Sequence, residues 1–306
     1  MNILFRADSS SAIGTGHIMR DLVLAKQYPY DKVLFATQEL DGNINHKIKE
    51  AGYGVEIIKL NSLKELIELV KKHSIDLVVI DHYGIDYKYE KKLKKRTGAQ
   101  ILSFDDTYEK HHCDILLNHN IYAKERKYRD LVPKSCELRC GSKYTLLRDE
   151  FIEGKKRKTK VKNNKVKTVF IAMGGADHSN INIKILKVME KFDNLQVNLV
   201  TTTANKNLEE LKEYVKEMKW INLHVDSNKI AKLMNKSDFA IVTPSVTLNE
   251  IYFMEIPFIA IKTVKNQDDM YNYLKKKKHL VMNRFTKTKL KKYVELLLNR
   301  DDKNVK

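Results

Sequence analysis

The 306-residue chain has few cysteines and no long apolar run. Its three cysteines, Cys113, Cys136 and Cys140, are an odd number, which indicates that no disulfide framework is present. No apolar stretch reaches the roughly 20 residues that a membrane-spanning helix needs. The amino-terminal region also lacks the pattern of a signal peptide, because Arg6 and Asp8 interrupt its apolar residues early. These absences predict a cytoplasmic protein with no membrane insertion.

Acidic side chains are also in the minority. Lys and Arg outnumber Asp and Glu by 57 to 39, and the formal net charge is +18. Nucleic acid, an anionic membrane surface and an acidic substrate each explain such an excess. Much of the excess is Lys on predicted outer helix faces, such as residues 91–95, and few Arg or aromatic residues are interleaved with it. This pattern favours solvated faces and predicts no nucleic-acid partner.

The length and the hydropathy pattern predict two α/β domains. A chain of 306 residues with 42% hydrophobic and 31% charged residues is typical of a two-domain globular protein. Apolar strands alternate with amphipathic helices in both halves, which predicts parallel sheets covered by helices. The basic stretch 153–167 has almost nothing to bury and is predicted to be the linker. The predicted divisions are therefore 1–152, 153–167, 168–285 and 286–306, the last being a carboxy-terminal helix and tail.

The loop after the first strand is the first candidate site. The predicted strand 2–5 is followed by small residues and then by the predicted helix 17–25. Gly14 and Gly16 permit a tight turn and close approach by a ligand, and the free N–H groups of a helix start favour an anion. His17 lies in the first helical turn, where the helix dipole disfavours imidazolium, so we expect a neutral ring able to accept a proton. The alternative is an ordinary strand–turn–helix connection with a surface histidine.

The second half repeats this arrangement at successive strand ends. Gly174 and Gly175 lie between a strand and a helix, where backbone N–H groups bind a diphosphate. Ser245 precedes a helix and offers a hydroxyl to a phosphate, and the Glu250 carboxylate is suited to accept both hydroxyls of a ribose. The alternatives are an ordinary Gly-Gly turn and a helix-capping serine.

Further polar residues follow other predicted strands, and parallel strands bring such ends to one edge of a sheet. We therefore expect them to converge on a crevice in each half. In the first half they occupy positions 8–11, 81–84, 105–106 and 118–120, and in the second half they are Asn266 and Gln267.

A metal site is the less favoured interpretation of the cysteines and histidines. A zinc site can be drawn on paper from His111, His112 and the three cysteines. However, Cys136 and Cys140 share one face of a predicted strand with Leu138, which favours core packing. Asp105 and Asp106 lack a second acidic pair that would support magnesium. We therefore predict no metal and no cofactor.

Several motifs closely resemble the UDP-2,4-diacetamido-2,4,6-trideoxy-β-L-altropyranose hydrolases of pseudaminic acid biosynthesis, a pathway of flagellin glycosylation. The resemblance spans nearly the whole chain. It is carried by residues 6–11, 13–18, 20–25, 80–84, 102–106, 111–118, 139–141, 147–151, 173–175, 230–235, 249–250 and 264–267. It implies a GT-B-like fold of two Rossmann-like domains whose parallel sheets face a central cleft, with water as the acceptor of the sugar.

The resemblance, combined with the motifs, predicts the roles of individual residues. His17 is the expected general base, and water attacks the anomeric carbon with inversion. The first domain is expected to bind the sugar and the second to bind UDP, in a monomer whose partner is the UDP-sugar substrate. The expected sugar-binding residues are Asp8, Gly16, Tyr83, Asn266 and Gln267. The expected UDP-binding residues are Gly14, Gly174, Gly175, Ser245 and Glu250.

Two other functions remain open at this point. A glycosyltransferase of the same fold would pass the sugar of a UDP-sugar donor to an acceptor hydroxyl. A basic nucleic-acid-binding protein is the non-enzyme alternative that the net charge of +18 suggests.

Overall fold

The computed structural model describes residues 1–156, 166–175, 177 and 180–299. The chain divides into two compact units, Met1–Leu146 and Leu147–Lys306. The division thus falls ahead of residue 152, where the sequence predicts the end of the first domain.

The first unit is a seven-stranded sheet with helices between its strands. Its elements are β1 (Asn2–Ala7), α1 (Gly16–Ala25), β2 (Lys32–Thr37), α2 (Asn45–Glu50), β3 (Gly54–Ile57), α3 (Leu63–Lys72), β4 (Leu77–Asp81), α4 (Tyr87–Thr97), β5 (Gln100–Phe104), β6 (Ile115–Asn118) and β7 (Glu137–Cys140). All pairs are parallel, in the order β3-β2-β1-β4-β5-β6-β7. The order reverses between β1 and β4, where Ala7 is the register partner of Asp81.

Alternation along the strands explains how this sheet is covered on both faces. Leu4 of β1 packs into the core on one face, and its neighbours Ile3 and Phe5 pack into the core on the other face. Helix α4 begins at the cap residue Asp86, whose side chain accepts a hydrogen bond from the Tyr89 N–H. It ends at Gly98, whose φ of 73° is the left-handed conformation that favours glycine. The strands are therefore held between helix layers, and the loops at their carboxyl ends remain at the edge of the sheet.

The second unit contains a six-stranded parallel sheet. Its elements are α5 (Asp149–Lys156), β8 (Lys167–Ala172), α6 (Ile181–Met189), β9 (Leu195–Thr201), α7 (Leu208–Val215), β10 (Ile221–Val225), α8 (Ile230–Asn235), β11 (Phe239–Val242), α9 (Val246–Phe253), β12 (Phe258–Ile261), α10 (Asp268–Lys276), β13 (Leu280–Met282) and α11 (Lys287–Leu298). The strand order is β10-β9-β8-β11-β12-β13, and it reverses between β8 and β11, where Ala172 pairs with Val242.

The described ends of the predicted linker 153–167 belong to regular elements. Residues 153–156 form the end of α5, and Lys167 is the first residue of β8. Within the second unit, the Ala231 N–H at the start of α8 donates a 3.1 Å hydrogen bond to Glu150 of α5. Residues 157–165 of the predicted linker and residues 300–306 of the predicted tail lie outside the described residues.

None of the described helices combines the length and the hydropathy that a transmembrane span requires.

Candidate active site

His17 is held at the edge of the first sheet by the last residue of β4. The ring lies in the first turn of α1, and its Nδ1 is 2.7 Å from Oδ1 of Asp81. Both side chains are buried. Because β1 and β4 are neighbours at the reversal of strand order, the loop after β1 and the end of β4 meet at one place. The structure therefore places the predicted base where parallel sheets of this type bind ligands.

Arg20 binds the same carboxylate from the next turn of α1. Its Nε donates to Oδ2 of Asp81 at 2.6 Å, and its Nη2 donates to Oδ1 at 2.5 Å. Burial opposes ionisation of Asp81, but Arg20 and then His17 hold the pKa of this carboxyl well below its usual range. Asp81 is therefore an ionised carboxylate in contact with two side chains of one helix.

Tyr83 completes a closed ring of contacts around His17. Its hydroxyl donates to Oδ2 and Oδ1 of Asp106 at 2.9 and 3.0 Å, and Arg20 Nη1 lies 3.7 Å from Oδ2 of Asp106. The Tyr83 ring meets the His17 ring edge-on, with centroids 5.2 Å apart and planes at 86°. Burial raises the pKa of Asp106 against the effect of Arg20. Tyr83 is 58% exposed, so one side of this cluster is open to a ligand.

The Asp8 carboxylate forms its contacts with other groups of the protein. Its two oxygens accept 2.7 Å hydrogen bonds from Arg6, and Oδ1 also accepts the Gln38 N–H at 2.8 Å. His82 Nε2 lies 3.2 Å from Oδ2. Burial opposes the charge, while His82 and Arg6 hold the pKa of Asp8 well below its usual range. These contacts anchor the end of β1, and a contact of Asp8 with sugar stays a prediction.

The two glycines of the loop have open space beside them. Gly14 has a φ of +87° and forms a short antiparallel bridge with Ser10. A Cβ at Gly14 or at Gly16 would meet no atom within 4 Å. The positive φ, and not crowding, is what favours glycine at position 14.

In the second unit, the turn after β8 lies beside the end of β11. The Gly175 carbonyl accepts hydrogen bonds from the hydroxyls of Thr201 and Thr202, both at 3.1 Å. The first amides of α6 are already occupied, because the Ile181 N–H donates to Asp177 at 2.9 Å and the Asn182 N–H donates to it at 3.2 Å. An anion at this turn would therefore meet the amides of Gly174 and Gly175 and not those two helix amides.

Ser245 precedes α9 but does not cap it. Its side chain makes no capping hydrogen bond to the helix, and its Oγ lies 3.0 Å from Oγ1 of Thr243. The half-buried hydroxyl is therefore not used as the helix cap that the sequence left open as an alternative. Since β8 pairs with β11, Ser245 lies on the same edge of the sheet as the turn at Gly174.

Glu250 is a buried carboxyl in the second turn of α9. Its Oε1 accepts hydrogen bonds from Arg148 Nε at 3.2 Å and from Nη2 at 3.0 Å. Arg148 also binds Glu150, with Nη1 2.7 Å from Oε1. Burial raises the pKa of Glu250 to about 7 despite the opposing effect of Arg148. Among the described residues, nothing donates a hydrogen bond to its Oε2. This oxygen can therefore accept a hydrogen bond from a ligand hydroxyl.

Asn266 and Gln267 follow β12, which pairs with β11. Asn266 is exposed. Gln267 is buried, and its Oε1 accepts the Thr263 N–H at 2.8 Å, so this side chain closes its own loop. The structure thus brings both residues to the sheet edge that carries Ser245, but only Asn266 is exposed there.

The cysteines and the histidines near them form packing contacts and ion pairs. Cys113 and Cys136 are free, with sulfurs 3.7 Å apart, and they lie with Leu138 and Cys140 in or against the core of the first unit. His111 Nδ1 lies 2.7 Å from Oε1 of Glu90. No group of three or more potential metal-binding side chains is present in the part of the chain that the structure describes.

The whole chain was compared with known proteins. A Campylobacter jejuni protein named UDP-2,4-diacetamido-2,4,6-trideoxy-β-L-altropyranose hydrolase is 44% identical over 277 residues, which cover 90% of this chain and 97% of that protein. The chain belongs to this hydrolase family. The Bacillus subtilis spore coat polysaccharide biosynthesis protein SpsG is 22% identical, over 87% of this chain and 79% of that protein. No model of a protein family matches the chain.

The solved structures that are similar to this chain confirm the GT-B-like class predicted from the sequence. MurG from Acinetobacter baumannii has a TM-score of 0.66 and 12% identity, covering 98% of this chain and 91% of that one. The spinosyn rhamnosyltransferase SpnG has a TM-score of 0.65 and 10% identity, covering 98% and 92%. These likenesses concern the fold alone. Membership of the hydrolase family identifies the chain as an enzyme.

Three side chains in the cluster around His17 were given no individual role by the sequence. They are Arg20, Asp81 and Asp106. The spacing of Arg20 three residues after His17 places both on one helix face, which is a signal in the sequence. Asp81 and Asp106 were expected at strand ends, but their contacts depend on which strands are neighbours.

Proposed function

We propose that this chain hydrolyses UDP-2,4-diacetamido-2,4,6-trideoxy-β-L-altropyranose to UDP and free 2,4-diacetamido-2,4,6-trideoxy-L-altrose, as a step of pseudaminic acid biosynthesis for flagellin glycosylation. The observation that carries the proposal is the 44% identity to a hydrolase of that name over 97% of its length. The buried contact of His17 with Asp81 at the sheet edge supports the chemistry. The proposed enzyme is a cytoplasmic monomer that needs no metal.

The reaction requires one water to be positioned and deprotonated. His17 accepts a proton from the water while the water oxygen bonds to the anomeric carbon. The bond between that carbon and the diphosphate oxygen breaks, and its electron pair leaves with UDP. Because UDP is a good leaving group, a general acid is less necessary. Attack on the face opposite UDP inverts the anomeric carbon.

The second unit has the groups that suit UDP. The amides of Gly174 and Gly175, together with the Ser245 hydroxyl, are proposed to stabilise charge on the leaving diphosphate. Glu250 is proposed to bind the ribose hydroxyls, and Gly14 to approach the β-phosphate. Tyr83, Asp8, Gly16, Asn266 and Gln267 are the proposed sugar contacts.

Turnover in ¹⁸O-labelled water tests which bond breaks. With substrate, chelator and no acceptor, we expect UDP release and ¹⁸O at the anomeric hydroxyl of the sugar. Label in the β-phosphate of UDP instead would show cleavage of the phosphorus–oxygen bond and would contradict the proposed attack.

A glycosyltransferase is the second candidate, because the similar solved structures include rhamnosyltransferases. It predicts UDP release only when an acceptor alcohol is added. Water-dependent UDP release at full rate without an acceptor excludes this alternative.

Binding to DNA that weakens steeply with salt would favour the nucleic-acid alternative.

A further inference from the structure

We propose that Asp81 is the positioning residue that fixes the His17 ring as the Nδ1–H tautomer and so leaves Nε2 as the proton acceptor. The inference rests on the proposed hydrolysis for its kinetic consequence. It rests on the described contacts for its structural part.

The contact between His17 and Asp81 determines where the ring proton lies. Nδ1 is 2.7 Å from Oδ1, and an ionised carboxylate can only accept hydrogen bonds. A bare Nδ1 lone pair facing this oxygen would be repelled, so Nδ1 carries the proton. In a neutral ring the other nitrogen, Nε2, is then the acceptor.

Arg20 holds the Asp81 carboxylate in place, and this carboxylate in turn orients the His17 imidazole. Its bidentate contact with Asp81 sets the plane of the carboxylate and keeps it charged. Arg20 Nη2 is also 3.1 Å from His17 Nδ1. A guanidinium only donates, so this contact would be a hydrogen bond only if Nδ1 were bare. The shorter 2.7 Å contact of Nδ1 with a carboxylate oxygen assigns the proton to Nδ1, and the two donors then share Oδ1 of Asp81. The arrangement leaves the imidazole one orientation toward the carboxylate.

The Nε2 atom of the His17 ring is available to accept a proton. Among the described residues, none hydrogen-bonds to His17 Nε2, and this atom is not one of the fully buried unpartnered atoms. When Nε2 takes a proton, the resulting imidazolium remains 2.7 Å from the Asp81 carboxylate, which stabilises the new charge. The edge-on Tyr83 ring restricts the other side of the imidazole.

The tautomer can be read in the unaltered protein. Long-range ¹H–¹⁵N spectra of protein with ¹⁵N-labelled histidine, with the His17 signals assigned by their loss in His17→Ala, report which nitrogen is protonated. We expect a protonated Nδ1 and a bare Nε2 in the neutral ring. The opposite tautomer would overturn the proposal, whether or not the protein hydrolyses the UDP-sugar.

Substitution of Asp81 tests the kinetic consequence. In Asp81→Asn the amide can donate to Nδ1 and favour the wrong tautomer, so we expect kcat to fall by about 10²–10⁴-fold, with the Kd for UDP unchanged within about twofold. Asp81→Glu restores the charge and should recover part of kcat.

Glu90→Gln is the matched control. It alters another buried histidine–carboxylate pair, in which Glu90 Oε1 lies 2.7 Å from His111 Nδ1, and it should keep kcat within about threefold. Wild-type kcat in a folded Asp81→Asn variant overturns the proposal while the proposed hydrolysis stands. Absence of UDP release from the wild-type protein overturns the hydrolysis, and the spectra still decide the tautomer.

Discussion

Among individual residues, His17 has the most specific predicted consequence. His17→Ala removes the proposed proton acceptor but none of the proposed UDP contacts. We therefore expect kcat for UDP release to fall by about 10²–10⁴-fold, while calorimetry gives a Kd for UDP close to that of the wild type. Near-wild-type release by this variant would refute the role of His17 as general base.

Glu250 gives a second prediction for a single residue, through pH. Its pKa is raised to about 7, so the carboxylate form, which is proposed to accept hydrogen bonds from the ribose hydroxyls, is present mainly above pH 7 and is lost as the pH falls. UDP should bind more tightly at pH 8 than at pH 6. In Glu250→Gln this component of the pH dependence should vanish, while the titration of UDP itself remains as the shared background. Parallel pH profiles of the two proteins would contradict the ribose role.

Some residues of the candidate site follow from a local sequence pattern and others do not. His17, Gly174 and Ser245 follow strands in the chain, so a local pattern is enough to find them. The partner of His17 is 64 positions away in Asp81, and the partner of Glu250 is 102 positions away in Arg148. These pairs depend on strand order and helix packing, which local periodicity does not specify.

Among the secondary-structure elements, the alternation of strands and helices was predictable and the short or weakly buried elements were not. β4 is entirely buried, and α3 has a clear apolar face, so both follow from their residue patterns. α5 buries only Phe151, within a Lys-rich stretch, and β13 has three residues. Their residue patterns are too short or too polar to indicate an element, and contacts within the second unit stabilise them.

His111 connects the loop after β5 to α4, and this connection should depend on pH. Burial opposes its charge, but Asp105 and Glu90 raise the pKa of His111 to about 10. A raised pKa gives stability that is complete below the unfolded value of about 6.5 and is lost as the pH rises through 10. We expect His111→Gln to lower the free energy of unfolding by on the order of 3–5 kcal/mol at pH 6 and by less at pH 10.

Urea unfolding at both pH values measures this effect, and His73→Gln is its control. His73 also binds a carboxylate, with Nε2 2.7 Å from Oε1 of Glu56, but this pair is only partly buried. Its removal should cost below about 1 kcal/mol. If His111→Gln lowered the free energy of unfolding by the same amount at pH 6 and at pH 10, the charge of His111 would not stabilise the loop.

For the whole molecule, the two units contain groups that suit different parts of the proposed reaction. The first unit has the histidine, carboxylate and arginine cluster that suits proton transfer, and the second has the amides, hydroxyls and carboxyl that suit a nucleoside diphosphate. Two-domain α/β architecture was predictable from length and from the alternation of strands and helices.

The central claim is that the chain transfers the sugar of a UDP-sugar to water with inversion. Proton NMR of UDP-2,4-diacetamido-2,4,6-trideoxy-β-L-altropyranose during turnover, recorded before the free sugar equilibrates, tests it most directly. We predict stoichiometric UDP and the α anomer of the free sugar as the first product, with chelator present and no acceptor. A first product that keeps the β configuration, or no UDP release without an acceptor, would contradict the account.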